Sequence, residues 1–381
     1  MSGDAPIPLA SPALGETEEQ AVLETLRSGR LSLGDRLPQF EAGLAGALGV
    51  EHVSAVSSGT AALHLAVRAA GIESGDEVVT TPFSFVASAN CVIYERARPV
   101  FCDIDPVTLN IDPAAAAEAV TERTAGLLPV HIFGYPADLP ALERLAAEQG
   151  LWLVEDACEA LGATHADGAP VGARGNLATF AFYPNKQLTT GEGGAVVCTS
   201  PEDKQRIDSE RNQGRAADMG WLDHDRLGFN YRLSEVACAL GIAQLGRLDE
   251  LLAARARVAK LYRQALGGIE GLELPAADAG GGDRRSWFVY VVRVPAEVDR
   301  DAAIEGLRAR GIDSKPYLPA IHLMAFYRER FGHREGEFPV CEDVSTRSLA
   351  RPFFPGLGEA EVERVAAALD EVVEAGRCSA A

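Results

Sequence analysis

The chain has 381 residues, 47% of them hydrophobic and 24% charged, with a formal net charge of -20. This is ordinary globular composition with ample apolar material for a core, and the length predicts two domains or one large domain with an appendage. The acidic balance argues against a general binder of nucleic acid or of an anionic membrane surface, but not against a small anionic ligand held by a few local donors.

The first residues, Met1-Ser2-Gly3-Asp4-Ala5-Pro6, have no basic stretch and no apolar core, so no signal peptide is expected. No apolar run approaches the roughly 20 residues that span a bilayer, and the expected location is the cytoplasm. Residues 15–30 and 36–49 carry apolar positions at three- and four-residue spacing, which predicts two helices. Short apolar runs then follow at 52–57, 77–83, 98–104, 125–133, 151–156, 177–183 and 194–199. Amphipathic stretches at 60–71, 112–121, 137–149 and 201–212 lie between several of them. Alternating strand and helix predicts a mainly parallel sheet covered on both faces. Residues 234–267 read as one or two long helices, and 277–283 (Ala-Asp-Ala-Gly-Gly-Gly-Asp) as a flexible turn or short linker. Beyond it, 287–294 is a strand candidate and 299–310 and 358–375 are helices. The expected organisation is a large α/β domain over 1–250 and a smaller α+β domain over 251–381.

Seven cysteines, at 91, 102, 158, 198, 238, 341 and 378, show no C-x-x-C spacing. Their number is odd and most lie in apolar runs, which reads as reduced buried thiols rather than disulfides. The seven histidines lack ligand spacing, and no metal site is expected.

In a sheet of this kind ligands bind at the carboxyl ends of strands, and four segments stand there. Ser57-Ser58-Gly59-Thr60 ends a run and opens a helix, whose first free amides suit a phosphate. Phe85, after Thr81-Pro82-Phe83-Ser84, could stack on a flat ring. Asp156, in Val154-Glu155-Asp156-Ala157, could pair with a protonated pyridine nitrogen. Lys186 follows an apolar run and precedes Gly191-Glu192-Gly193-Gly194. It is one of only four lysines among thirty-five basic residues, and lysine, unlike arginine, can form a Schiff base with an aldehyde. Alone, each has a plainer reading: a helix cap, a core aromatic, an N-cap aspartate, a solvated lysine. Together they are the parts that pyridoxal phosphate (PLP) needs.

At this point the chain resembles the DegT/DnrJ/EryC1/StrS family of PLP-dependent sugar aminotransferases over nearly its whole length. The carriers are 58–63, 81–90, Asp103-Ile104-Asp105, 130–134, Glu155-Asp156-Ala157, Lys186 with the glycines after it, and Gly228-Phe229-Asn230-Tyr231-Arg232-Leu233-Ser234-Glu235. Segments 316–323 and Arg351-Pro352-Phe353-Phe354 are similar to the branch that includes GDP-perosamine synthase. The resemblance implies the type I (aspartate-aminotransferase-like) α/β fold and PLP as cofactor. By position, it implies Lys186 as the anchor and proton carrier, Asp156 on the ring nitrogen, Phe85 on the ring face, and Gly59 and Thr60 on the phosphate. Asn230 would reach the phosphate of a partner subunit, making a homodimer with shared sites. Glu159 falls where many members carry Gln or His near the ring hydroxyl. Ala181 replaces a phosphate-binding serine, whose contact would be missing or made by another group such as Thr179. Tyr317 and His322 are expected substrate contacts, His322 reading equally as a structural histidine.

The reaction so implied is a two-stage transamination with L-glutamate as donor and a nucleotide-linked keto sugar as acceptor, the first expectation being a C4 ketone of a 6-deoxy sugar. A 3-keto sugar or an amino-cyclitol precursor are the alternatives. Dehydratase relatives carry histidine where Lys186 stands, and a non-catalytic regulatory role would not need Lys186, Asp156 and Asn230 together.

Overall fold

A computed structural model gives the structure of residues 5–216, 223–276 and 281–380. Residues 1–4 of the expected leaderless start and 277–280 of the expected linker lie outside the described residues. Seven strands follow the seven apolar runs: β1 (His52–Val56), β2 (Glu77–Thr80), β3 (Arg98–Phe101), β4 (Thr124–Leu128), β5 (Trp152–Asp156), β6 (Leu177–Ala181) and β7 (Gly194–Cys198). They form one sheet in the order β1-β7-β6-β5-β4-β2-β3. The four pairings among β2 to β6 are parallel, and only β7 runs against its two neighbours. The expected mainly parallel sheet is therefore present.

Among the described residues nine α-helices accompany this sheet: α1 (Glu16–Ser28), α2 (Arg36–Leu48), α3 (Gly59–Ala70), α4 (Ala87–Tyr94), α5 (Pro113–Ala119), α6 (Leu139–Gln149), α7 (Pro201–Glu210), α8 (Glu235–Leu245) and α9 (Leu248–Leu266). Their starts are encoded locally. Ser58 Oγ accepts from Ala61 N at 3.1 Å to open α3, and Asp112 and Asp138 cap α5 and α6 in the same way. Val53, Ala55, Ala195 and Val197 turn one face of the sheet toward Phe40 and Leu44 of α2. Val56, Val154 and Val196 face Ala62 and Leu65 of α3 on the other. Burial on both faces explains why these strands read as unbroken apolar runs rather than alternating ones.

The C-terminal part holds a three-stranded antiparallel sheet, β8 (Val291–Arg293), β9 (Lys315–Pro316) and β10 (Ser348–Ala350), in the order β8-β10-β9. With it go α10 (Arg300–Ala309), α11 (Ala325–Phe331), α12 (Pro339–Arg347) and α13 (Glu359–Ala380). The strand expected over 287–294 shrinks to three residues. Trp287 has φ +52°, which breaks the extended run and leaves Phe288 free to turn toward the large sheet. Ile7 pairs with Ile312 and is buried in the C-terminal core, so the start of the described chain crosses to this layer. The helix α9 runs straight through residue 250. Among the described residues no helix is long and apolar enough to cross a membrane.

Candidate active site

Strands β1, β2, β5 and β6 run in one direction, so their carboxyl ends share one edge of the sheet. A cavity of about 510 Å³ opens there, and its walls include Gly59, Thr60, Phe85, Asp156, Glu159, Lys186 and Tyr317. Seven of the nine site residues expected from sequence thus meet in one place. Lys186 Nζ lies 3.6 Å from Glu159 Oε1 and 3.8 Å from the centre of the Phe288 ring. Its backbone is fixed by a turn in which Lys186 N donates to Tyr183 O at 2.9 Å.

Asp156 ends β5 at the base of the cavity, only 4% exposed. Ser88 Oγ donates to its Oδ2 at 2.7 Å and Cys158 N to its Oδ1 at 3.1 Å. Ser84 Oγ stands 2.7 Å from Ser88 Oγ and extends the chain of hydroxyls. Among the described residues no lysine, arginine or histidine pairs with this carboxylate. A buried carboxylate without a cationic partner is costly, and a protonated ring nitrogen would supply one.

Glu159 is buried, and Phe133 N donates to its Oε2 at 2.8 Å. Burial pushes its carboxyl above the ordinary range, opposed by the Lys186 amine and the Phe133 amide. Phe85 is 61% exposed on the loop between β2 and α4, where it overhangs the cavity mouth. The first turn of α3, with Gly59, also lines the cavity. A Cβ on Gly59 would sit 2.7 Å from Ala181 Cβ and 3.2 Å from Cys158 Sγ, so only glycine fits. Ala181 itself lines the cavity and offers no hydroxyl. Thr179 does not replace it: that residue is wholly buried outside the cavity wall and gives its hydroxyl to Glu155 O at 3.3 Å. The hydroxyls available beside Gly59 are those of Ser58 and Thr60.

Two expected residues stand elsewhere in the single chain. Asn230 is exposed, away from its own cavity wall. His322 is fully buried and its Nε2 lies 3.0 Å from Glu342 Oε1. It packs edge-on against Phe338, and burial lowers its pKa. That is the structural alternative allowed for it. Sequence reasoning gave no role to Ser88 or Phe288. Ser84 and Ser88 carry a faint signal, two hydroxyls four apart at a helix start; Phe288 carries none, because a bent segment distant in sequence delivers it.

A twisted, mainly parallel sheet that brings a lysine amine, an unpaired carboxylate and a helix N-terminus to one cavity at its strand ends defines a PLP-dependent enzyme of the type I fold. The chain belongs to the DegT/DnrJ/EryC1/StrS aminotransferase family, which it matches over residues 12–370. It is similar to GDP-perosamine synthase of Caulobacter vibrioides, 37% identical over 98% of this chain and 100% of that one. The crystal structure of S. venezuelae DesV in complex with a ketimine intermediate superposes with a TM-score of 0.90 at 34% identity, covering 97% of this chain and 99% of that chain. DesI, solved in the presence of its TDP-sugar product, gives 0.89 at 30% identity, covering 99% and 95%. The protein is accordingly a PLP-dependent sugar aminotransferase.

Proposed function

We propose that the enzyme moves the amino group of L-glutamate to the C4 ketone of a nucleoside-diphosphate-linked 6-deoxy keto sugar. The observation that carries this reading is the whole-chain similarity to GDP-perosamine synthase, held together with the intact Lys186–Asp156 cavity. Bound PLP supplies a carbonyl that condenses with amines and a conjugated ring that takes up the electron pair left by a departing proton.

The chain's own residues do the rest. Lys186 holds the cofactor through Nζ and, once displaced by substrate, carries the proton between carbon atoms at that same nitrogen. Asp156, oriented by Ser88 and the Cys158 amide, keeps the ring nitrogen protonated. Phe85 covers one ring face and excludes water from the mouth of the site. Gly59 and Thr60 present the free amides of α3 to the phosphate. Glu159 accepts a hydrogen bond beside the ring and offsets the charge of Lys186. Tyr317, rather than the buried His322, touches the sugar. Asn230, exposed on its own subunit, completes the phosphate site of a second subunit in a homodimer. The large unit extends over 1–250 and the small unit over 251–381, except that Ile7 packs in the core of the latter. The cytoplasm supplies both glutamate and nucleotide sugar.

The test is incubation of the holoenzyme with glutamate and a panel of GDP- and TDP-linked 4-keto and 3-keto sugars, followed by mass analysis. The expected product is the 4-amino sugar nucleotide with stoichiometric 2-oxoglutarate. Amination only of 3-keto sugars, or of none, would overturn the proposal.

A further inference from the structure

Arg255 lies in α9, 3% exposed, and among the described residues no carboxylate pairs with it. Its hydrogen-bond acceptors are three backbone carbonyls, and its guanidinium lies 5.9 Å from the centre of the Phe353 ring. Nη2 donates to Lys186 O at 2.6 Å and to Asn185 O at 3.1 Å, and Nη1 donates to Phe288 O at 3.1 Å. Its Nε has no hydrogen-bond partner among the described residues. Burial draws its pKa down to about 10, so the group remains cationic at neutral pH. A buried cation whose hydrogen bonds go to carbonyl dipoles and whose only other support is a ring face is a poor device for holding a fold, since it bears the desolvation penalty without an opposite charge to offset it. What distinguishes these carbonyls is what they carry. One belongs to Lys186 itself, and another to Phe288, whose ring the Lys186 amine packs against at 3.8 Å. A rigid planar fork with donors on both arms fixes two backbone segments in a set relative geometry, which the three rotatable donors of a lysine on its flexible stem do not impose.

We propose that Arg255 is a positioning residue for Lys186, clamping the lysine's backbone and the Phe288 ring into one unit so that Nζ is held where it meets the cofactor carbonyl. α9 joins the large sheet to the C-terminal layer, so the clamp sets the lysine from the helix that links the two. Displacements of about 1 Å at a reacting group are enough to cost 10²-fold in rate. The proposal rests on the reading of Lys186 as the residue that joins PLP.

The test compares two holoenzyme forms of Arg255→Met, which keeps the buried volume, and of Arg255→Lys, which keeps the charge without the fork. In the aldehyde form the cofactor is joined to Lys186; in the amine form, generated with glutamate, it is not. Release of the aldehyde form is expected to quicken by about tenfold in both variants while release of the amine form stays within about threefold, and kcat falls with little change in KM. Equal acceleration of both forms, or failure of both variants to fold, would assign Arg255 to the fold alone and overturn the proposal. In the same experiment borohydride should fix the wild-type cofactor on Lys186. Fixation at another lysine would overturn the anchor reading, a result distinct from equal release.

Discussion

At the scale of single residues the site is a set of paired requirements. Lys186 needs a removable proton and a nucleophilic nitrogen, and arginine has neither. Lys186→Arg should therefore abolish turnover, with a thermal unfolding midpoint within a few degrees of wild type; measurable transamination would show the anchor is elsewhere. Asp156 has the opposite dependence on its surroundings. Asp156→Ala takes an acceptor from Ser88 Oγ, which keeps Phe85 O, and leaves the Cys158 amide without the Asp156 carboxylate, a loss of about 1–3 kcal/mol for that buried donor. Cofactor retention should fall at least about tenfold, read by equilibrium dialysis. His165 gives a pH-dependent effect outside the site. Its ring is buried beside that of His131, with Nε2 lacking a partner among the described residues, and burial first, then His131, lowers its pKa from 6.5 to about 4. The depressed value means that the unfolded chain binds the proton first as pH falls. The His165 contribution is complete above pH 6.5 and is lost as pH falls toward 4. Allowing for solvent screening, the loss is on the order of 2 kcal/mol. Unfolding curves across that window should be flatter with pH in His165→Phe than in wild type.

At the scale of elements, the junction of β1 and α3 shows how tightly the cradle is fitted. Gly59→Ala places a Cβ 2.7 Å from Ala181 Cβ, so the first turn of α3 must shift, at a cost of about 1–3 kcal/mol. The variant should bind PLP more weakly, and adding Ala181→Gly should recover most of the loss; a purely additive double variant would place the strain elsewhere. The elements themselves were legible. Each apolar run became a strand because strands buried on both faces need no alternation, and the amphipathic stretches from 60, 112 and 137 became helices whose first turns Ser58, Asp112 and Asp138 cap. The residues less visible to sequence were those whose neighbours are distant along the chain. Trp287 looks like strand, yet its positive φ ends the extension and sends Phe288 to Lys186. His322 sits in a motif suggestive of substrate contact, but Glu342 and Phe338 enclose it. The replacement for a serine at Ala181 could not be read by proximity in sequence. Thr179 points to the same face of β6 but spends its hydroxyl on Glu155 O.

At the scale of the whole molecule, Asn230 is exposed rather than gathered into its own cavity, as the proposed exchange of this residue between two subunits requires. If two subunits exchange this residue, inactive Lys186→Ala and Asn230→Ala proteins should complement. Each hybrid dimer then has one site with an intact lysine from one chain and an intact asparagine from the other. Random equal mixing and reassembly should restore about a quarter of wild-type activity, whereas no recovery would place Asn230 outside the partner's site. The family membership, the fold and the cavity converge on one lysine among four. The most direct measurement is borohydride reduction of the purified holoenzyme followed by peptide mass mapping. The cofactor's mass should appear on the peptide that contains Lys186. Its appearance instead at Lys204, Lys260 or Lys315, or on no peptide, would contradict the assignment.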